Sequence, residues 1–237
     1  MAKRFIVEKQ DIKIDGENIE ITGSEVRHIN VLRKNIGDSI FVNDYVVEIS
    51  KIEKDKVLGK VIDRAEDKGV PSVNITLIQS YLKSDKMDYV VQKAVELGVK
   101  SIKPILSKNT VVKLDEKDST KKVERLNKIA KEAIGQCGRT DEVEVKSVSK
   151  LKDVDFTKYD LVIICHEKGV KKINEILEEI YAALNIAVII GPEGGLDEQE
   201  IEDLKCENKQ IIVFGERVLR AETASLYILS ILDYLLQ

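Results

Sequence analysis

Two stretches of this 237-residue chain combine residue types and spacings that could do chemistry. The first, Gly191-Pro192-Glu193-Gly194-Gly195, follows the apolar run Ile186-Ala187-Val188-Ile189-Ile190. Three glycines and a proline at a strand end give a tight turn whose backbone can approach a ligand closely. The turn matches neither the dinucleotide pattern GxGxxG nor the phosphate loop GxxxxGK(S/T), and it holds no lysine to neutralise phosphate. A carbonyl-rich loop of this kind suits an adenine ring or a sulfonium ligand better than a triphosphate. Taken alone it also fits a plain strand-to-helix turn. The second stretch, Phe214-Gly215-Glu216-Arg217-Val218-Leu219-Arg220-Ala221-Glu222-Thr223-Ala224, places two arginines and two glutamates just before a long apolar segment. Glu222 and Thr223 could cap a helix there, but capping does not account for both arginines.

The elements that must carry these stretches are legible from periodicity. From Val73 onward strand-like and helix-like segments alternate. Strands are predicted at 73–81, 101–106, 161–165, 186–190 and 210–214, and helices at 85–97, 120–137, 170–181 and 197–206, with a last one from Glu222. Such alternation predicts an α/β fold, a mostly parallel sheet with helices on both faces. Ligands of such sheets sit at the carboxyl ends of strands, so the loops after Ile190 and Phe214 are the expected site. Residues 1–70 read differently, as short strands that suggest a small β-barrel. Asp15-Gly16 is a hairpin turn signal, and Ser24 is placed to cap a short helix carrying Val26, Ile29 and Leu32. The pattern changes around Asp67 to Ser72, which sets the expected domains at 1–70 and 71–237.

Hydrophobic content of 43% with 34% charged residues excludes a disordered or fibrous chain. No signal-peptide pattern and no apolar run long enough for a bilayer is visible, so a cytoplasmic location is expected. Cys137, Cys165 and Cys206 form no CxxC pair, and with only His28 and His166 no metal site is expected. The formal net charge is -4, yet residues 1–70, 71–150 and 151–237 balance at -1, +5 and -8. A basic middle is compatible with a polyanion-binding face, and equally with solvated helix surfaces.

The two chemical stretches together resemble the cofactor-binding signature of the ribosomal RNA uridine-N3 methyltransferases, the RsmE family of the SPOUT class. Further matches are His28-Ile29-Asn30-Val31-Leu32-Arg33 with Gly37-Asp38, Lys83 to Val99, and Ala130 to Thr140 with Gln136-Cys137-Gly138-Arg139-Thr140, so the resemblance spans essentially the whole chain. It implies a PUA-like barrel for RNA at the N-terminus and a SPOUT domain with a trefoil knot that binds S-adenosylmethionine. It also implies a homodimer with the cofactor near the subunit interface, and small-subunit ribosomal RNA, within the assembled subunit, as substrate. The cofactor-binding set implied is Cys165, His166 and Glu167, then Gly191, Pro192, Glu193, Gly194 and Gly195, then Val218, Leu219, Arg220, Glu222 and Thr223.

Transfer of a methyl group from a sulfonium is an in-line displacement, and uridine must lose its N3 proton, so a fixed cation near the uracil oxygens is expected. Arg220 and Arg139, from the same or from different subunits, are the candidates, with Glu222 as orienter or base. The RNA face is expected to combine Arg27, His28, Arg33 and Lys34 with Lys83, Lys86 and Arg139. Rival readings are another SPOUT methyltransferase, acting on a ribose 2'-hydroxyl or a tRNA base, and a non-catalytic RNA-binding assembly factor.

Overall fold

A computed structural model of the chain describes residues 4–64, 70–83 and 85–237. The chain divides into two compact units, Met1–Val70 with Ile134–Asp141, and Pro71–Ala133 with Glu142–Gln237. The boundary expected at 67–72 therefore lies partly outside the described residues. A segment that sequence periodicity assigns to the end of a helix in the second unit clusters with the first unit instead.

The first unit is built on β1 (Arg4–Phe5), β2 (Ile12–Asp15), β3 (Asn18–Ile21), α1 (Ser24–Val31), β4 (Ser39–Val42), β5 (Tyr45–Ile52) and β6 (Val57–Arg64). Its six strands lie in the order β1-β4-β5-β6-β3-β2. All neighbours are antiparallel except β1 and β4. The Asp15-Gly16 signal is realised as the β2–β3 hairpin, with Asp15 opposite Asn18. Register shifts between Val46 and Val47 and between Ile49 and Lys51 bend β5 against β6, the local effect of an extra residue in an antiparallel pair. Alternate residues of β3 and β4 turn inward, and Ile19, Ile21, Ile40 and Val42 join Phe5, Val26, Ile29 and Val47 in one core. Ser24 does not cap α1. Gly23 occupies the cap position, in the left-handed region at φ 77, and Ser24 is the first helical residue. Leu32, expected on the inner side of α1, is exposed.

The second unit contains β7 (Asn74–Ser80), α2 (Asp85–Glu96), β8 (Ser101–Leu106), α3 (Glu116–Cys137), β9 (Glu144–Val145), β10 (Ser149–Lys150), β11 (Leu161–Cys165), α4 (Leu177–Ala182), β12 (Asn185–Ile190), α5 (Glu198–Glu202), β13 (Lys209–Ile212) and α6 (Ala221–Leu235). Its sheet order is β10-β8-β7-β12-β11-β13, with β9 also on β8, and every pair is parallel. Val162 to Ile164 and Ile186 to Ile190 are buried without interruption. An unbroken apolar run means that both faces of these strands are covered, as a parallel sheet requires. Among the described residues no helix is long and apolar enough to cross a membrane.

Two expected helices are shorter than periodicity suggests. The stretch 170–181 is helical only as the 3-10 turn Ile173–Glu175 and α4. Lys171 is drawn into extended pairing with the edge of β13, donating its amide to Ile211 O and accepting from Val213 N at 2.9 Å. The stretch 197–206 keeps only α5, because the Lys209 ammonium donates to the carbonyls of Ile201 at 2.8 Å and Leu204 at 3.3 Å and so closes the helix end. The central strand β12 carries the stability expectation. Ile189 is fully buried between β7 and β11, so Ile189→Ala should cost about 2–5 kcal/mol, measured by denaturant unfolding. A cost well below that range would mean that the sheet is not the core.

Candidate active site

Because β11, β12 and β13 run parallel and in register, with Cys165 opposite both Ile190 and Ile212, their carboxyl ends open onto one edge of the sheet. The segments leaving them enclose a groove of about 550 Å3, lined by Cys165 to Glu167, Ile190 to Leu196, Val213 to Ala221, Ala224 and Lys86. Its floor is apolar and largely buried at Ile190, Leu196 and Ala221, and its mouth is polar and exposed from Gly215 to Arg217.

Close packing shapes the glycine turn. A Cβ on Gly191 would lie 2.9 Å from the Leu196 amide nitrogen and 3.0 Å from Leu196 Cγ. Only a glycine therefore lets the turn fold back on itself here. Gly195 has φ 72, a left-handed backbone that glycine adopts without steric cost, and its amide donates to Pro192 O at 2.9 Å. His166 then ties β11 to this turn. The Lys168 amide can only donate, so His166 Nδ1 accepts it at 3.2 Å, and Nε2–H donates to Leu196 O at 3.2 Å. Both ring nitrogens are thus used in holding the groove. Burial pushes the Cys165 thiol pKa up, which keeps it protonated and makes it a packing group, not a nucleophile.

Charge is concentrated where α2 meets the start of α6. Lys86 Nζ lies 3.2 Å from Glu222 Oε1 and 3.8 Å from Glu193 Oε1, so one ammonium bridges the glycine turn and the first turn of α6. Desolvation opposes the charge on Glu222, but its own backbone amide, the Lys86 ammonium and Arg220 outweigh it and hold the carboxyl below its ordinary value. Arg220 occupies the N-cap position of α6 and is exposed at the groove wall. Its guanidinium makes no hydrogen bond or ion pair among the described residues. Among the described residues no ion pair joins Arg220 to Glu216 or to Glu222, and Glu222 lies against Lys86.

The structure brings most of the anticipated cofactor set together. Cys165, His166, Glu167, all five residues Gly191 to Gly195, and Val218, Leu219 and Arg220 line the one groove. Glu222 and Thr223 do not. Glu222 faces Lys86, while Thr223 lies on the outer surface of α6 beside Leu226 and Tyr227. Of the anticipated RNA face, Arg27, His28 and Arg33 are exposed on the first unit and Lys34 is half-buried. His28 Nδ1 lies 3.1 Å from Glu25. Lys83 is exposed on the second unit. Two cations depart from the expectation. Lys86 is engaged in the groove wall, and Arg139 is only 3% exposed, paired through Nε and Nη2 with Asp141 at 2.9 and 2.8 Å. A buried, bidentate arginine is a fixed structural charge and not a mobile phosphate ligand. Sequence reasoning missed the roles of Lys86 and Leu196 in the groove, because nothing local to Lys86 marks Glu193 and Glu222 as its neighbours.

Comparison with known proteins bears on this geometry. A family model described as an RNA methyltransferase domain matches residues 70–233, and one described as an RNA methyltransferase PUA domain matches residues 21–62. The ribosomal RNA small subunit methyltransferase E of Bacillus subtilis (strain 168) is 33% identical over 98% of this chain and 96% of its own length. The chain belongs to the ribosomal RNA small subunit methyltransferase E family. Two solved structures resemble it over nearly its whole length. The methyltransferase E of Neisseria gonorrhoeae bound to S-adenosyl methionine has a TM-score of 0.86 at 26% identity, covering 99% of this chain and 98% of that one. A putative methyltransferase of Legionella pneumophila in complex with the cofactor SAM has a TM-score of 0.86 at 28% identity, covering the same 99% and 98%. In this methyltransferase E family chain the glycine turn and the Arg220 segment, far apart in sequence, form one groove.

The Lys86–Glu222 contact gives a pH expectation. The folded carboxyl is depressed below 4.5, so its contribution is complete above that value and is lost as the pH falls through the depressed folded value. Glu222→Gln should lower the thermal midpoint near neutral pH, and its gap from wild type should close in strong acid. A gap that persists there would show that the contact does not act through charge.

Proposed function

We propose that this chain is an S-adenosylmethionine-dependent methyltransferase acting on N3 of a uridine in small-subunit ribosomal RNA, with residues 1–70 as the RNA-binding, PUA-like part and 71–237 as the catalytic part. The observation that carries the reading is the groove lined both by the glycine turn and by Arg220, whose guanidinium has no hydrogen bond or ion pair among the described residues, in a chain of this family. The lining suits the ligand on its own chemistry. Gly191 lets the turn fold tightly on Leu196, Ile190 and Leu196 supply apolar floor, and no lysine of the turn demands a phosphate. Cys165, His166, Glu167, the turn 191–195 and residues 218–220 would hold the ligand.

S-adenosylmethionine supplies an electrophilic methyl group on a sulfonium. The chain's own work is to align the nucleotide with that group and to exclude water. Uridine N3 must lose its proton as it attacks, and negative charge then spreads over O2, N3 and O4. Arg220 stands at the groove, its guanidinium with no hydrogen bond or ion pair among the described residues, and would stabilise that charge. Glu222, tied to Lys86 and held ionised, orients the first turn of α6, and the proton leaves to solvent. Arg27, His28 and Arg33 are the exposed residues that would meet RNA phosphates on the first unit. A ribosomal substrate places this work in the cytoplasm. Incubating the protein with labelled S-adenosylmethionine and small subunits lacking the modification should label the RNA at a uridine base, read by mass mapping. Label on a ribose or on tRNA would replace the reading by one of its rivals.

For Arg220 the expectation is specific. Arg220→Ala should lower turnover at saturating cofactor about a hundredfold or more, with the thermal midpoint little changed. Arg220→Lys should recover only part, because an ammonium lacks the planar fork of donors. Nearly full methylation by Arg220→Ala would remove it from the chemistry.

The same reading includes a homodimer. Helix α6 buries Ile228, Leu229 and Leu232 within its own unit and presents Leu226, Tyr227, Ile231, Tyr234 and Leu235 outward, with Tyr234 80% exposed. An outward apolar stripe of this kind calls for a partner surface. Light scattering should report a dimer at micromolar concentration, and Ile231→Glu should yield a folded monomer; a monomeric wild type would overturn the claim.

A further inference from the structure

The geometry points to Asn109 as a positioning residue for the glycine turn, one that holds Gly194 and Gly195 in the conformation that receives S-adenosylmethionine; this rests on the functional reading above. Asn109 lies in the short turn that leaves β8. The turn is closed by the Thr110 amide on Ser107 O at 3.0 Å and by the Ser107 amide on Thr110 Oγ1 at 2.9 Å. It is anchored on the end of β7, where the buried Ser107 and Ser80 hydroxyls lie 3.1 Å apart. From this base Asn109 Nδ2 donates to Gly194 O at 3.3 Å and to Gly195 O at 3.2 Å. Lys108 completes the clamp, its amide donating to Glu200 Oε1 at 2.8 Å and its ammonium lying 2.7 Å from Asp197 Oδ2.

One side-chain amide thus fixes two successive peptide groups. In a trans peptide the N–H points away from the C=O, so turning both carbonyls toward Asn109 directs the Gly195 and Leu196 amides the other way. The Gly195 amide meets Pro192 O, and Leu196 O receives His166. The turn is therefore held from two sides, by a residue that follows β11 and by a residue that follows β8. Asn109 does not line the groove, so it acts through the backbone it holds and not by touching the ligand. Glycine loses more conformational freedom on ordering than any other residue. A turn with three glycines and no brace would charge that ordering to ligand binding, and a prearranged turn does not.

The test is calorimetric titration of S-adenosylmethionine into the full chain, with hydrogen exchange on the ligand-free protein. Asn109→Ala should weaken affinity about 5–30-fold, the scale of one or two net hydrogen bonds, and should speed exchange at the Gly195 and Leu196 amides. Asn109→Asp is nearly the same size but cannot donate and sets a carboxylate against two carbonyl oxygens, so it should weaken binding more than alanine does. Turnover at saturating cofactor should stay within about twofold of wild type, since the loss lies in binding and not in the chemical step. Wild-type affinity and exchange in Asn109→Asp would overturn the inference, as would a loss confined to turnover. If the wild type itself binds no S-adenosylmethionine, the functional reading falls, while the exchange rates still decide whether Asn109 holds the turn.

Discussion

The candidate site depends on the parallel pairing of β12 with β11, and of β11 with β13. Because Cys165 is level with Ile190 on one side and with Ile212 on the other, three strands end at the same height. The segments that follow them must then share one space. Parallel strands are joined by long crossovers, so stretches separated in sequence by some fifty residues converge without any direct attraction between them. The register is itself enforced by burial, since Val162 to Ile164 and Ile186 to Ile190 have no exposed face along which to slip.

Around that frame the groove is finished by polar contacts that reach in from other elements. His166 reaches Leu196 O, Lys86 reaches Glu193 and Glu222, and Asn109 reaches Gly194 and Gly195. Each of these side chains spends its polar groups on fixing backbone or carboxylate positions, which leaves Arg220 as a cation of the wall with no partner among the described residues. A cation kept unpaired at a groove lined by glycine and apolar residues keeps its field available for charge that develops on a substrate. The same preorganisation separates the groups that hold the site from the one assigned to the reaction.

The two faces of α6 show how one helix can serve both ends. Its inner residues Ile228, Leu229 and Leu232 are buried where the helix packs on α2 and β12, with Ser225 buried and bonded to Gln79 Oε1 at 2.6 Å. Its first residues form the wall of the groove, and its outer stripe remains apolar. Fixing this helix therefore positions Arg220 and turns the apolar stripe outward at once.

The sequence by itself determined the alternation of strands and helices from residue 73, the β2–β3 hairpin, and the two chemical stretches, because those features rest on local periodicity and on glycine and proline at strand ends. It also carried the family signature, since that signature is a matter of residue order. Tertiary structure alone decided that Glu222 turns to Lys86 and Thr223 to the outer face of α6, because helical phase at the very first turn depends on how the helix docks. It decided that 170–181 begins extended and is broken into a 3-10 turn and the short α4, where pairing of Lys171 with β13 outweighs a continuous helical pattern, and that Arg139 is buried on Asp141 within the first unit. It also brought Asn109 to a turn 85 residues away. Such contacts join positions far apart in the chain, and no spacing within a short window can encode them.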